Sequence, residues 1–427
     1  GNLMYDLFRE YYTIQQRTIH VEFEKRAHYN QSIYANNLYG LIQQNYKDIF
    51  RERIVEDGFK KAFKGNWGAH SHSKRIGVLQ DLNRISHNAM LSHLRKTNLP
   101  LDPTAKVVGP RVLHSTHWGM FDPIDTPDGG NIGLHKHMSM FSYITQGYSR
   151  EPLIQWLREK ISLILLEDCS PEVLSTMTKL FVNGYWAGAV DEPIQVLSKF
   201  LLYRRNGLIP IYTSISFDYK MNNIHIYTDA GRICRPVFYK DDETREMSFN
   251  NKTILKHIED NKYTWTQLIT GFNEKKISNF HPNNYKLYEL HELYENLKTE
   301  TNPAKLKKFL EEKAIIDYID TNETESAIIA LNNDALSKKE HKYTHMEIHE
   351  SLIFGVMCNL INYPENNPAT RNSFSCGQSK QACSLYHTNY QVRMDKSAII
   401  LNNGQNPLVK TRYLEYINNE SNPYGEN

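Results

Sequence analysis

Apolar residues recur every three to four positions through residues 3–64, a stretch that contains two glycines and no proline. Leu3, Leu7 and Tyr11 begin the series. This spacing places apolar side chains on one face of a helix. The pattern therefore predicts two or three helices, and it ends at the Gly-Asn-Trp-Gly segment of residues 65–68.

Two further stretches have a regular pattern. Residues 151–205 are again apolar at helical spacing, except that an Asn183-Gly184 pair lies between two apolar runs. Asn-Gly favours the tight turns that join antiparallel strands, so a hairpin is predicted between helices. Residues 209–240 alternate apolar and polar side chains, which predicts β-strands.

The rest of the chain is less regular. Residues 241–313 are rich in Lys and Asn and predict surface helices, and residues 335–342 predict an exposed loop. Residues 351–361 predict a helix, followed by a loop rich in Pro and Asn and a second helical run. At 427 residues and 49.9 kDa, the chain is long enough for several domains.

Residues 69–150 differ from the rest of the chain in composition, since they are rich in His, Arg, Pro and Gly. The 50 Lys and Arg nearly balance 48 Asp and Glu, so any contact with nucleic acid must be local. Asp81 is nevertheless the only acid from 69 to 101. A series of basic residues lies in this region, namely Lys74, Arg75, Arg84, His93, Arg95, Lys96 and Arg111. A nucleic-acid surface and a solvated helix face both remain open interpretations.

A second basic cluster lies near the end of the chain. It consists of Arg371, Lys380 with Gln381, and Arg393. Arg and Lys are the usual ligands of triphosphates and nucleic-acid backbones, and a loop-to-helix junction is predicted between 371 and 380. A structural Arg that caps a helix is an equally open interpretation. The sequence contains neither a P-loop nor a GxGxxG motif, so a self-contained nucleotide fold is not supported.

No metal site is predicted. Eight histidines fall between His70 and His137, but no HExxH motif accompanies them, and the five cysteines form no CxxC pair. Asp122, Asp125 and Asp128 are spaced by three, yet the prolines among them disfavour a regular metal-binding face. No apolar run approaches the roughly 20 residues of a transmembrane helix, and the composition predicts a folded, soluble protein.

Nine segments give the chain a family resemblance. They are GNWG (65–68), GVLQDLNR (77–84), LSHLRKTN (91–98), RVLHSTHWGMFDPIDTPDGGNIGL (111–134), FVNGYW (181–186), TDAGRICRP (228–236), IDYIDTNETES (316–326), YTHMEIHESLIFGV (343–356) and PATRNSFSCGQSKQACSLYHTNYQVRMD (368–395). In this order they closely resemble the second-largest, eukaryote-like β-type subunit of multisubunit DNA-directed RNA polymerases. The family's ETPEG is DTPDG here, and Asp122 stands where a neutral residue is more usual.

The resemblance implies a mixed α and β multidomain fold, the middle portion of a β-type subunit. The chain is expected to be an internal fragment. The implied domains are the helical end of the protrusion (1–66), the fork (67–147), external 1 (148–240), external 2 (241–345) and the start of the hybrid-binding domain (346–427). Residues 241–313 carry little of the resemblance.

The resemblance also implies roles for individual residues. Arg371 is expected to approach the phosphates of the incoming nucleotide, as the residue nearest to catalysis. The other expected nucleic-acid contacts are Gln80 and Arg84 facing the RNA–DNA hybrid, Lys74 and Arg75 beside the first fork loop, Arg95, and Lys380 and Gln381 near the growing end of the RNA. Residues 98–110 resemble the second fork loop, and Arg111 and His114 the structural core of the fork.

The implied function is template-directed nucleotidyl transfer within an RNA polymerase, with the fragment inactive alone. The implied partners are the largest and the smaller polymerase subunits, the DNA template, the RNA–DNA hybrid and nucleoside triphosphates. No membrane is expected among the partners. Mg²⁺ is expected on the largest subunit. A nucleic-acid binding fragment and a structural assembly scaffold remain alternatives. The richness in Asn and Lys suggests that the chain comes from a large eukaryotic DNA virus. Its expected location is then the host cytoplasm or the virion, and it is the nucleus if the source is cellular.

Overall fold

The N-terminal region forms three helices, as predicted. This computed structural model describes residues 2–29, 37–50, 53–99, 101–241, 245–250, 252–260, 263–272, 310–337, 342–382, 399–400 and 425–426. The helices are α1 (Asn2–Tyr29), α2 (Leu38–Ile49) and α3 (Ile54–Phe63). Leu7 and Ala62 are buried together with Trp67, so that apolar residues at helical spacing join α1 to α3.

Residues 64–150 contain short elements joined by loops. They are α4 (His87–Leu94), the antiparallel pair β1 (Lys96–Asn98) and β2 (His135–His137), and β3 (Tyr143–Ile144). Arg111 holds the intervening loop, because its guanidinium donates to the carbonyl oxygens of Gly130 (2.6 Å) and Pro103 (2.9 Å). Gly133 has a φ of 72°, and a Cβ there would overlap the backbone of Arg111.

A five-stranded sheet follows, in the order β4-β6-β5-β8-β7. Its strands are β4 (Ile164–Leu165), β5 (Thr178–Val182), β6 (Tyr185–Val190), β7 (Ser214–Asp218) and β8 (Asn223–Tyr227). The helices of this region are α5 (Glu151–Ile161), α6 (Pro171–Thr176) and α7 (Pro193–Arg205). Trp156 and Phe200 pack against the strands in the largest apolar core of the described residues.

The predicted hairpin is present, since Asn183 and Gly184 join β5 to β6 with φ values of 52° and 75°. The helix predicted from residue 151 is shorter than expected. It ends at Ile161 because Ser162 adopts a left-handed conformation with φ of 59°, and the next apolar residues pair as β4. The strands predicted over residues 209–240 are confirmed.

A second sheet has the order β10-β9-β12-β11, with β3 also paired to β9. Its strands are β9 (Ile233–Tyr239), β10 (Ile316–Asp320), β11 (Ile329–Ala330) and β12 (His345–Met346). The helices here are α8 (Lys252–Glu259), α9 (Trp265–Thr270), α10 (Thr321–Ser326) and α11 (Asn333–Ser337). The exposed loop predicted at 335–342 is therefore wrong at its start, which lies in α11.

The predicted fork and both predicted external domains contribute strands to this second sheet, through β3, β9 and β10. The domain boundaries themselves stay a prediction. The C-terminal part contains α12 (Val356–Asn359) and α13 (Ala369–Gln381), followed by the two-residue strands β13 (Ile399–Ile400) and β14 (Gly425–Glu426). None of the helices in the described ranges combines the length and apolarity that a membrane crossing requires.

Two predictions for the C-terminal part are wrong. The helix expected at 351–361 is instead a 3-10 turn (Glu350–Ile353) followed by the single-turn α12. Arg371 and Lys380 do not flank a loop-to-helix junction; both lie on the one helix α13. The sequence pattern does not indicate that Arg371 lies within the helix, because Ser, Asn and Gln on α13 conceal its buried face, which includes Cys376. Arg393 lies outside the described residues.

Candidate nucleic-acid interface

Helices α4 and α13 pack together although they are almost 300 residues apart in the sequence. Ser86 caps α4: its Oγ accepts the backbone N–H of Ala89 (3.1 Å) and donates to the carbonyl oxygen of Lys380 (2.9 Å). A second link comes from Ser373 on α13, whose Oγ donates to the carbonyl oxygen of Ile124 (2.5 Å). In addition, Oδ2 of Asp122 accepts the backbone N–H of Gly355, just before α12 (2.6 Å). These bonds fix α13 against the loops of residues 64–150.

A cleft of about 700 Å³ opens between these elements and is called the α4–α13 cleft below. Its walls come from the loop before α4, α4 itself, β1, the turn at 125–128, β2 and α13. Charged, polar and apolar side chains all contribute, namely those of Asp81, Asn83, Ile85, Ala89, Ser92, His93, Lys96, Asp125, Thr126, Pro127, Asp128, His137, Ser373, Phe374, Gln378, Lys380 and Gln381, together with Gly377.

Lys380 forms one wall of the cleft within a small ionic cluster. Its Nζ lies 2.7 Å from Oδ1 of Asp125 and 3.1 Å from Nε2 of His137. Nδ1 of His137 lies 2.9 Å from the carbonyl oxygen of Asp125. Burial lowers the pKa of His137 to about 4, and Asp125 opposes this shift without reversing it. His137 is therefore neutral at physiological pH.

Lys96 supplies a second ammonium group at the same cleft. Burial lowers its pKa, and the positive charge of Lys380 lowers it further. Lys96 and Lys380 form a locally cationic cluster around Asp125, and an ammonium group of this kind suits a phosphate group; Asp81 and Asp128 also line the cleft. Sequence analysis placed Lys96 in the basic series but did not assign it to a site.

The loop before α4 is tied to the helix through His93. Nδ1 of His93 accepts the backbone N–H of Asn83 (3.1 Å), so the proton is on Nε2, which lies 3.0 Å from Oε1 of Gln80. Gln80 also donates to the carbonyl oxygen of Gly77. Gln80 is exposed beside the cleft, with its amide directed by these two contacts.

Three of the predicted basic contacts, Lys74, Arg75 and Arg84, are exposed. Arg84 belongs to the loop that precedes α4, and its guanidinium has no hydrogen bond or ion pair with any residue that the structure describes. The backbone N–H of Arg75 donates to the carbonyl oxygen of Trp67 (2.9 Å), and the residue itself is exposed. These three cations are available to a ligand.

Arg95 is placed differently from the other predicted contacts. Its guanidinium is half-buried and donates to the carbonyl oxygens of Ser139 (2.6 Å) and Met140 (3.1 Å). Burial lowers its pKa. It does not line the cleft. In this structure Arg95 braces the loop after β2, and its nucleic-acid role stays a prediction.

Arg371 and Gln381 lie at opposite ends of α13 and are both exposed. The guanidinium of Arg371 stands 5.4 Å from the ring centroid of Phe374, which lines the cleft. Gln381 lines the cleft directly beside Lys380. The helix thus presents Phe374, Lys380 and Gln381 to one cleft and places Arg371 at its margin.

Two carboxylates of this region, those of Asp122 and Asp125, are engaged within the chain, whereas Asp81 and Asp128 are exposed in the lining of the cleft. Asp122 accepts backbone N–H groups from Ile124, Asp125 and Gly355, and burial raises its pKa despite these bonds. Asp125 is paired with Lys380. No group of three His, Cys, Asp or Glu side chains in the described part of the chain is arranged to hold a metal ion.

Sequence reasoning missed Asp125 and His137 as members of the site. Asp125 was considered only as a metal ligand, and His137 only as one of many histidines. The signal that could have found them is the need for an ion-pair partner. A half-buried lysine on a helix that faces the cleft needs a carboxylate close by. Spacing along the chain cannot show this, since Lys380 and Asp125 are 255 positions apart.

Three family models match the chain in order. RNA polymerase Rpb2, domain 3, matches residues 80–144; domain 4 matches residues 180–241; domain 6 matches residues 357–427. The first and third of these segments form the α4–α13 cleft. The described architecture, with helices and two mixed sheets, is a multidomain fold of mixed α and β structure, and the three matches lie within it.

Curated relatives give the same result. The DNA-directed RNA polymerase II subunit RPB2 of Schizosaccharomyces pombe is 32% identical over the whole chain, and that of Encephalitozoon cuniculi is 34% identical over 88% of it. DNA-directed RNA polymerase subunit 2 of Acanthamoeba polyphaga mimivirus is 29% identical over 87%. The matches cover 34%, 30% and 30% of these relatives. The chain therefore spans about a third of their length.

The fold and the ordered matches define a multidomain polymerase-type chain. It is similar over its whole length to second-largest, β-type subunits of RNA polymerase, of which it spans about a third. This confirms the predicted fold class and the resemblance at the level of the family.

Proposed function

We propose that the chain acts as part of a DNA-directed RNA polymerase, and that its α4–α13 cleft contacts RNA and nucleotide phosphates. The observation that carries this proposal is the cleft itself. Segments that match two separate Rpb2 domains meet there, with the ammonium groups of Lys96 and Lys380 in its walls. The polymerase identity of the relatives in turn supports the reaction.

The proposed reaction joins the 3′ hydroxyl oxygen of the RNA to the α-phosphorus of a nucleoside triphosphate, with release of pyrophosphate. Catalysis of this kind is mainly positioning and charge stabilisation. Lys380 and Gln381 would hold RNA near its growing end, and Arg371 would stabilise negative charge on the nucleotide phosphates. Mg²⁺, which supplies charge neutralisation at the phosphates, is assigned to the largest subunit.

The loop before α4 is assigned to the RNA–DNA hybrid. Gln80 is directed by His93, and Arg84 has no partner among the described residues, so one loop offers a polar and a cationic group to a ligand. Lys74 and Arg75 extend the cationic surface toward the first fork loop. Hydrogen bonds to sugars and ionic contacts to phosphates are sequence-independent, as a polymerase requires.

Arg371→Ala in the assembled polymerase tests the nucleotide contact. We expect nucleotide addition to slow on the order of 10²-fold, the usual effect of losing one donor to transition-state charge. Single-nucleotide addition at subsaturating nucleotide is the measurement. The matched control is Arg158→Ala, an exposed arginine on α5 distant in sequence from the site. Unchanged elongation by the Arg371 variant would refute the assignment.

The double variant Gln80→Ala, Arg84→Ala tests the hybrid contact. We expect its elongation complexes to dissociate at lower salt than wild type, because fewer protein groups hold the hybrid. The measurement is complex lifetime at increasing KCl. Gln155→Ala, Arg158→Ala on α5 changes the same residue types and serves as the control. Double-variant complexes that survive high salt as well as wild type would count against the hybrid assignment.

The remaining proposals concern context. The partners are the largest and smaller polymerase subunits, the DNA template and nucleoside triphosphates, and the chain is inactive by itself. A large DNA virus of eukaryotes is the proposed source, which the mimivirus relative supports. The location is then the host cytoplasm or virion, and the nucleus if the source is cellular. Filter binding of RNA by the chain at two salt concentrations separates a nucleic-acid contact from a purely structural scaffold.

A further inference from the structure

The ammonium group of Lys380 is only partly used by the fold. An ammonium group has three N–H donors. Asp125 takes one at 2.7 Å and His137 takes another at 3.1 Å. Among the described residues the third has no partner, and the side chain is 18% exposed at the wall of the α4–α13 cleft.

The hydrogen bonds of His137 fix which ring nitrogen carries its proton. Nε2 faces the ammonium group of Lys380, which can only donate, so Nε2 must accept. The proton is therefore on Nδ1, where it is donated to the carbonyl oxygen of Asp125. Burial keeps the ring neutral by lowering its pKa to about 4. Asp125 thus holds both members of the pair, one through its carboxylate and one through its backbone.

The charges around Lys380 leave it capable of binding an anion. Asp125 is the carboxylate in contact with it, and Lys96, the first residue of β1, is a second cation close enough for the two charges to interact. The cluster of Lys380, Lys96 and Asp125 therefore carries one net positive charge, while Asp81 and Asp128 lie elsewhere in the lining of the cleft. A single phosphate oxygen, on the RNA backbone or on a nucleotide, has the charge and the acceptor that the remaining donor requires.

We propose that Asp125 and His137 are positioning residues, which hold two donors of Lys380 so that its third N–H points into the cleft toward a phosphate group. This inference rests on the proposed function, because Lys380 is the residue assigned to RNA. It adds the two residues that place this lysine. A flexible lysine would otherwise lose rotamer freedom on every binding event.

The two ring nitrogens can be tested separately in the assembled polymerase. His137→Gln places an amide near the position of Nε2 and can still accept from Lys380. His137→Asn places an amide near the position of Nδ1 and keeps only the bond to Asp125. Asp125→Asn preserves shape and removes the charge. Lys380→Ala removes the ligand-binding group itself. Recovery of intact polymerase containing each variant controls for folding.

We expect His137→Asn and Asp125→Asn to slow nucleotide addition on the order of tenfold, the effect of weakening a hydrogen bond to a charged group. His137→Gln is expected to restore most of the rate. The dependence of hybrid binding on salt separates positioning from charge. Lys380→Ala should lower the slope of log K against log salt by about 0.7 to 0.9, one phosphate, whereas both His137 variants keep the wild-type slope.

The source of the phosphate follows from the same data. A raised KM for nucleotide in His137→Asn assigns the contact to the triphosphate, and faster hybrid dissociation at unchanged KM assigns it to the RNA backbone. Equal rates for His137→Asn and His137→Gln, or a wild-type rate for Asp125→Asn, would overturn the positioning role. If the positioning role is overturned but Lys380→Ala still slows nucleotide addition, the proposed function stands without the positioning role. A wild-type rate of nucleotide addition for Lys380→Ala would also refute the assignment of Lys380 to RNA.

Discussion

Two of the buried ionic clusters that join distant segments in the described part of the chain differ in one respect. The interior cluster links α7 to the second sheet through Arg204 and Arg205 with Asp317 and Glu323. The cleft cluster links α13 to the turn at 125–128 through Lys380. In the interior cluster the guanidinium of Arg204 is only 2% exposed, whereas Lys380 is 18% exposed at a cleft wall.

The interior cluster is built from arginines, whose planar forks can bind carboxylates with two bonds at once. Arg204 donates to both oxygens of Glu323, and Arg205 donates twice to Asp317. Burial alone would raise the pKa of Asp317, but Arg205 and Arg204 hold it below its usual value. Burial raises the pKa of Glu323, and Arg204 opposes that shift.

The comparison teaches how to separate a structural ion pair from a binding group. In the interior cluster each charge faces its partners and no cleft, so the cluster can only determine how α7 and β10 fit together. In the cleft cluster one N–H of Lys380 remains unused beside open space. Burial by itself does not distinguish the two cases, but the exposure of the remaining donor does.

Arg204→Met gives the largest expected effect. The substitution leaves the buried carboxylates of Glu323 and Asp317 short of a partner, so we expect the free energy of unfolding to fall by about 3–5 kcal/mol. Urea unfolding followed by tryptophan fluorescence measures it. Arg158→Met on α5 is the control, with a change within about 0.5 kcal/mol because that side chain is exposed. A loss below about 1 kcal/mol for Arg204→Met would remove the contrast between the clusters.

Regular elements of the fold could be predicted from the sequence because their pattern is local. Helices α1 to α3, the hairpin at Asn183-Gly184 and strands β7 to β9 all follow from apolar spacing or turn residues. The end of α5 could not, since Ser162 in a left-handed conformation is not favoured by its residue type. The helical run after the Pro- and Asn-rich loop was predicted, but not that it begins before Arg371, because polar residues mask the periodicity of α13.

The site could be predicted only in part. Family resemblance pointed to Arg371, Lys380 and Gln381, and α13 carries all three. The resemblance did not indicate that Lys380 would be half-buried against Asp125, since that contact depends on the packing of α13 on α4. Pairings between distant segments are tertiary information, which composition and spacing do not contain.

A fall in pH should act on the cleft cluster through His137. Its folded-state pKa of about 4 lies below the ordinary value of 6.5, so the unfolded chain takes up a proton first. The stability that neutral His137 contributes is therefore present above pH 6.5 and is lost as the pH falls toward 4. Between pH 7 and pH 5 we expect a loss of about 2 kcal/mol from this residue.

His137→Asn isolates that contribution, because Asn keeps the bond to Asp125 and does not titrate. We expect the free energy of unfolding of this variant to change less between pH 7 and pH 5 than that of wild type. Urea unfolding at the two pH values is the measurement. Parallel pH dependences for the two proteins would show that His137 is not held neutral by the fold.

Ser86→Ala gives the smallest expected effect and tests how the cleft is held together. The substitution removes the cap of α4 and the bond from Oγ to the carbonyl oxygen of Lys380. We expect a loss of about 1 kcal/mol in the free energy of unfolding, typical of a helix cap. Ser198→Ala on α7, whose Oγ contacts only an exposed carbonyl of its own helix, is the control and should be nearly neutral. Equal effects of the two changes would mean that the Ser86 bond does not fasten α13, so that the position of Lys380 would depend on Asp125 and His137 alone.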